Sequence, residues 1–69
     1  MNKGDLVKLL FGHVRISCSH IKYEIISCEK GTTGIYFKYD HRIERHKVFI
    51  GGRITFWTAK TFNQFITKI

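Results

Sequence analysis

Apolar and polar residues alternate with a period of two over most of the chain. Val14, Ile16 and Cys18 alternate with Arg15, Ser17 and Ser19; Ile21, Tyr23 and Ile25 with Lys22 and Glu24; Ile35, Phe37 and Tyr39 with Tyr36, Lys38 and Asp40. A strand turns successive side chains to opposite faces, so this pattern predicts half-buried strands from residue 14 to 58. Glu29-Lys30-Gly31-Thr32-Thr33-Gly34 offers two glycines to close a hairpin between the second and third runs. Gly51-Gly52, between 47–50 and 53–58, is the strongest turn signal and predicts an antiparallel pair. The period then changes. Phe62, Phe65, Ile66 and Ile69 fall at i, i+3, i+4 and i+7, and Thr61 and Gln64 have capping-box spacing, which predicts an amphipathic C-terminal helix. At the other end Asp5 as N-cap, Leu6, Leu9 and Leu10 at helical spacing and Gly12 as C-cap predict a short helix over 5–11.

A competing reading makes the N-terminal segment a turn and first strand: Lys3-Gly4-Asp5-Leu6-Val7-Lys8 resembles the opening of SH3-like and KOW-type barrels. The expected architecture is α+β, a small antiparallel sheet or open SH3-like barrel of four to five strands, with the C-terminal helix and with or without the N-terminal one. Its 69 residues support one domain, since a chain this short buries only roughly 60% of its unfolded surface. Without proline, a linker or a repeat, residues 1–69 read as one unit.

Ten aromatics and a 43% hydrophobic fraction exclude a disordered tail. Twelve Lys and Arg against five Asp and Glu give a formal charge of +7, which calls for a polyanionic or acidic partner. Cys18 and Cys28 match neither a disulfide framework nor a CxxC site, so a reducing compartment is expected. No early run reads as a secretory signal and none approaches the roughly 18 apolar residues of a membrane span, so the expectation is a cytoplasmic protein without a membrane partner. The preference for Ile, Lys, Phe and Tyr is that of an AT-rich genome, and a short basic product of this kind suits a virus or mobile element, in which case the compartment is the host cytoplasm.

With Ile35, Phe37, Val48, Ile50, Ile54 and Phe56 facing inward, Tyr36, Lys38, Lys47, Phe49, Arg53, Thr55 and Trp57 face outward as a surface of cations and rings. Phosphates favour Lys and Arg, and unstacked bases favour flat rings. His41-Arg42-Ile43-Glu44-Arg45-His46-Lys47 adds Arg42 and Arg45 as an anion-binding rim. The candidate binding residues are therefore Tyr36, Lys38, Arg42, Arg45, Lys47, Phe49, Arg53 and Trp57, in a non-enzymatic module for DNA or RNA. The rival is an inhibitor that docks on an acidic surface of a host protein that handles nucleic acid, since Trp, Tyr and Arg are also interface anchors. His41, Glu44, Arg45 and His46 contain the residue types of a small ribonuclease, but a strand would place Glu44 and His46 opposite Arg45. Cys18, His20, Cys28 and His41 lack the paired spacing of a zinc site, so no cofactor or metal is expected. A homodimer could form by edge pairing of a strand at 14–18.

Overall fold

The structure, a computed structural model, describes residues 1–19, 21, 22 and 24–69. Seven strands form one sheet: β1 (Leu6–Leu9), β2 (Val14–Ser17), β3 (Ile25–Cys28), β4 (Thr33–Asp40), β5 (Arg45–Ile50), β6 (Arg53–Trp57) and β7 (Ile66–Lys68). Among the described residues one helix, α1 (Ala59–Phe65), lies between β6 and β7. The order across the sheet is β3-β2-β6-β5-β4-β1-β7, and every pairing is antiparallel. Among the described residues no helix is long and apolar enough to cross a membrane.

These elements correct the expected α+β fold of four to five strands. The N-terminal segment is a strand rather than a helix over 5–11. Val7 and Leu9 point into the core from β1 while Leu6 and Lys8 point out, and seven residues are too few to hold a helix against that pairing. The C-terminal amphipathic helix is one short helix followed by a strand. Thr58 Oγ1 accepts the Thr61 N–H at 3.1 Å, so the N-cap is Thr58, not Thr61. After Phe65 the backbone becomes extended and Ile66 pairs with Leu9 across from β1. The hairpin expected at 29–34 does not form: β3 pairs with β2, while β4 lies between β5 and β1. The run expected at Ile21, Tyr23 and Ile25 begins at Ile25, and Tyr23 lies outside the described residues.

Gly51 and Gly52, with φ of +66° and +81°, make the expected two-residue turn, whose twist matches that of the strands it joins. Its register sets which side chains share a face, because cross-strand partners lie on the same side of the sheet. Ile50 opposes Arg53, Val48 opposes Thr55 and His46 opposes Trp57. Val48, Ile50, Thr55 and Trp57 are all buried. Together with Val7, Leu9, Ile16, Cys28, Tyr36, Phe62 and Ile66 they bring all seven strands and the helix to one core. A seven-residue helix cannot cover seven strands, so a common core on one face means that the sheet curls around it.

Polar groups inside this core are paired. Trp57 Nε1–H donates to Thr55 Oγ1 at 2.8 Å, and the Thr55 hydroxyl donates to the Val48 carbonyl at 2.7 Å. Tyr36 Oη lies 2.8 Å from His46 Nδ1, and the His46 ring stacks on Phe62 of α1 with centroids 4.1 Å apart. Burial lowers the His46 pKa and raises that of Tyr36, so near neutral pH the hydrogen bond joins a neutral phenol to an uncharged imidazole.

Candidate nucleic-acid interface

The outer face carries Lys38, Lys47 and Phe49 as the alternation predicts, but not the other rings expected there. Tyr36 is 5% exposed and Trp57 3%, and Thr55 is fully enclosed; all three point inward. Ile35, Phe37 and Ile54, expected inside, are exposed, and Phe56 lies on the outer side of β6. The physical reason is the hairpin register: once Val48 and Ile50 point inward, a two-residue turn obliges Thr55 to do the same and sends Ile54 out with Phe49. The indole and hydroxyl of Trp57 and Thr55 then satisfy each other inside.

Two cross-strand rows make up the outer face. In the first, Leu6 opposes Ile35, Ile35 opposes Phe49 and Phe49 opposes Ile54, an apolar line over β1, β4, β5 and β6. In the second, Lys38 opposes Lys47, Lys47 opposes Phe56 and Phe56 opposes Ser17 of β2. A bulge at Phe37 brings Lys38 onto this face. Phe49 and Lys47, both nominated from sequence, thus belong to different rows.

The second row leads into a groove. Among the described residues Ser17 and Phe56 are the one ladder pair between β2 and β6, and openings lie beside it. One opening, about 460 Å³, is lined by Ser17, Ser19, Ile43, Arg45 and Phe56. The other, about 250 Å³, shares Ser17, Arg45 and Phe56 and adds Arg15, Thr58, Thr61, Phe65 and the edge of the core at Val14, Ile16 and Trp57. Among the described residues no carboxylate lines either opening. Arg45 Nη1 donates to the carbonyls of Ile43 (3.3 Å) and Glu44 (3.0 Å), which fixes the guanidinium against its own turn.

Ion pairing divides the candidate cations. Asp40, almost fully buried, lies 3.2 Å from Lys47 Nζ and 3.5 Å from Arg42 Nε, and accepts the Arg42 backbone N–H at 3.0 Å. Burial works to raise its pKa; the hydrogen bonds from Arg42 and Lys47 outweigh it and hold the value at about 2. Glu24 engages Arg53 at 2.9 Å, raising the Arg53 pKa through that hydrogen bond. Among the described residues Arg15, Lys38 and Arg45 have no carboxylate partner. Of the nominated residues the structure therefore leaves Lys38 and Arg45 as uncompensated charges, gives Arg42, Lys47 and Arg53 acidic partners, places Phe49 in the apolar row and sends Tyr36 and Trp57 to the core.

The other nominated constellations do not converge. His41 packs edge-on against Tyr39 in an exposed turn, His46 is stacked on Phe62 inside, and Arg45 faces the groove. Glu44, at φ +54°, ends the turn. Cys18 and Cys28 are buried free thiols, with Cys28 raised in pKa by burial. His20 lies outside the described residues, among which no group of His, Cys, Asp and Glu could hold a metal ion. The strand expected to pair with a symmetry mate is interior, since β2 lies between β3 and β6; β3 and β7 are the edges. Ser17, Ser19, Ile43 and Phe56 were not singled out from sequence; Ile43 and Phe56 reach Arg45 through its own turn and the β5–β6 hairpin, while Ser17 and Ser19 come to it through the long-range Ser17 to Phe56 bridge.

Comparison with known proteins finds no match among protein-family models, curated proteins or solved structures.

Proposed function

We propose that this chain is a small, basic, non-enzymatic binding module that holds nucleic acid by its backbone in the groove between β2 and β6. The observation that carries the reading is the meeting of Arg15 and Arg45 with Ser17 and Ser19 in a cleft to which no described residue brings a carboxylate, on a chain of net charge +7. Guanidinium groups supply the bidentate donors that phosphate oxygens accept; the Ser17 hydroxyl donates to the Ser19 carbonyl, and the Ser19 hydroxyl, which accepts from the Ile21 and Lys22 N–H groups, adds a neutral donor. Lys38 extends the positive path along the second row. Because the groove contacts are ionic and fall on the backbone, selectivity for base sequence is low.

Fluorescence anisotropy with single-stranded and duplex oligonucleotides over a salt series tests this. Micromolar binding is expected at about 50 mM salt, falling steeply as salt rises, with Arg15→Ala and Arg45→Ala each lowering the log–log slope by roughly 0.7 on a single strand or 0.9 on a duplex. Absence of binding, salt-independent binding, or slopes unchanged in both variants would end the proposal.

A further inference from the structure

The groove leaves the first row of the outer face without a role. Leu6, Ile35, Phe49 and Ile54 are 55%, 45%, 46% and 37% exposed, and they are consecutive cross-strand partners rather than scattered positions. Single exposed apolar residues are ordinary; a line over four adjacent strands is not. The line ends in a dent of about 280 Å³ between Leu6, Thr33, Ile35 and Phe49 and the Gly51-Gly52 turn, where the glycines put no side chain in the way. A Cβ at Gly52 would meet nothing within 4 Å. The dent is large enough for one leucine or phenylalanine side chain.

Charge around the row decides what fits. Lys8 opposes Thr33 at the rim of the dent, Lys38 and Lys47 form the next row, and Lys3 Nζ lies 4.8 Å from the Phe37 ring. The nearest carboxylates are engaged elsewhere, Asp5 with Lys68 and Asp40 with Lys47 and Arg42. A second copy of the chain would set lysine against lysine. A phosphate backbone could pair with the lysines but would leave the aliphatic side chains facing charge. We infer that this row is a docking site for an acidic protein segment that places an apolar anchor in the dent between Leu6, Ile35 and Phe49 and sets carboxylates against Lys8 and Lys38. Such an anchor in a dry pocket with a charged rim is the usual economy of protein interfaces.

The test is selection of a random-peptide phage library on the wild-type chain, with counter-selection on the Ile35→Thr, Phe49→Thr double variant. Both positions are solvent-exposed strand sites where threonine is well tolerated, and thermal melting of the variant checks that it folds. Enriched peptides are expected to share an aromatic or aliphatic residue flanked by Asp or Glu. A synthetic peptide of the consensus should shift the amide resonances of β1, β4 and β5, and bind at least tenfold more weakly to the double variant and to Lys8→Glu. Oligonucleotide anisotropy should be the same in the double variant and the wild type, whereas Arg15→Ala and Arg45→Ala should leave peptide capture intact, so the two surfaces fail or stand separately. Peptides without carboxylates, shifts confined to the groove, a dimer in light scattering that Phe49→Thr makes monomeric, or retention of the wild-type but not the double-variant protein on anionic phosphatidylserine vesicles would each overturn the inference.

Discussion

Replacing Thr55 by valine should destabilise the protein although it adds no bulk and raises no conflict with a strand. The hydroxyl is wholly enclosed and stands between two other groups, accepting from the Trp57 indole N–H at 2.8 Å and donating to the Val48 carbonyl at 2.7 Å. Valine leaves the indole N–H buried without an acceptor, a cost of roughly 1–3 kcal/mol, and returns less than about 1 kcal/mol through its extra apolar surface. The net expectation is a loss of about 1–2 kcal/mol, which at a urea m-value of about 1 kcal/mol/M moves the unfolding midpoint down by about 1–2 M. Thr55→Ser keeps both hydrogen bonds and should cost only about 0.8 kcal/mol for the missing methyl group. The decisive measurement is a double-mutant cycle with Trp57→Phe. Phenylalanine removes the orphaned donor, so Trp57→Phe should cost less in the Thr55→Val background than in wild type, with a coupling of about 1 kcal/mol or more. A neutral or stabilising Thr55→Val, or an additive cycle, would refute the inward placement of Trp57 and with it the division of the sheet into faces used throughout.

Gly34→Ala tests the closeness of β4 and β5: a Cβ there would stand 2.3 Å from the Phe49 carbonyl oxygen and 2.8 Å from Ile50 Cβ, so about 1–3 kcal/mol of stability should be lost in urea unfolding, against a gain of about 0.4–1 kcal/mol for Gly12→Ala, whose added Cβ has its nearest neighbour at 3.9 Å. Acid should weaken the fold in two stages. His46 has a folded pKa below its ordinary 6.5, so the unfolded chain takes up protons first and stability falls as pH drops below about 6.5, a stage that His46→Gln should remove from the pH profile of melting temperature. Asp40, at about 2 when folded, contributes stability above its unfolded value of roughly 3.9 and loses it as pH falls from there toward 2, so Asp40→Asn should flatten that lower limb.

The alternation that marks β2, β4, β5 and β6, and the turn at Gly51-Gly52, could be read directly from residue types, because both are local. The face assignment could have been read as well. A two-residue turn makes 49 face 54 and 48 face 55, and applying that constraint to the continuous run Ile54-Thr55-Phe56-Trp57 would have sent Trp57 inward with Val48. Hydrophobicity alone misled there, since Ile54 and Phe56 are as apolar as the residues that are buried. Residues 5–11 were ambiguous for a different reason: Leu6, Leu9 and Leu10 suit a helix while Val7 and Leu9 suit a strand, and the choice falls to partners at Ile35 and Ile66, distant in sequence. The groove depends on the single Ser17 to Phe56 bridge, and the neutralisation of Lys47 on the placement of Asp40 beyond a bulge. Neither leaves a periodic trace.

Strand β1 has β4 on one side and β7 on the other, so the sixth to ninth residues of the chain obtain their second neighbour from the sixty-sixth to sixty-eighth. During synthesis this strand must therefore wait, with one rank of amide and carbonyl groups open to water, until residues 66–68 have left the ribosome. Pairings between such remote segments close slowly, because the loop entropy is spent before any contact rewards it. For a nascent chain rich in isoleucine and phenylalanine that interval is when mispairing with other chains is most costly, and the lysines before and within β1, at positions 3 and 8, put like charge on any copies that meet there.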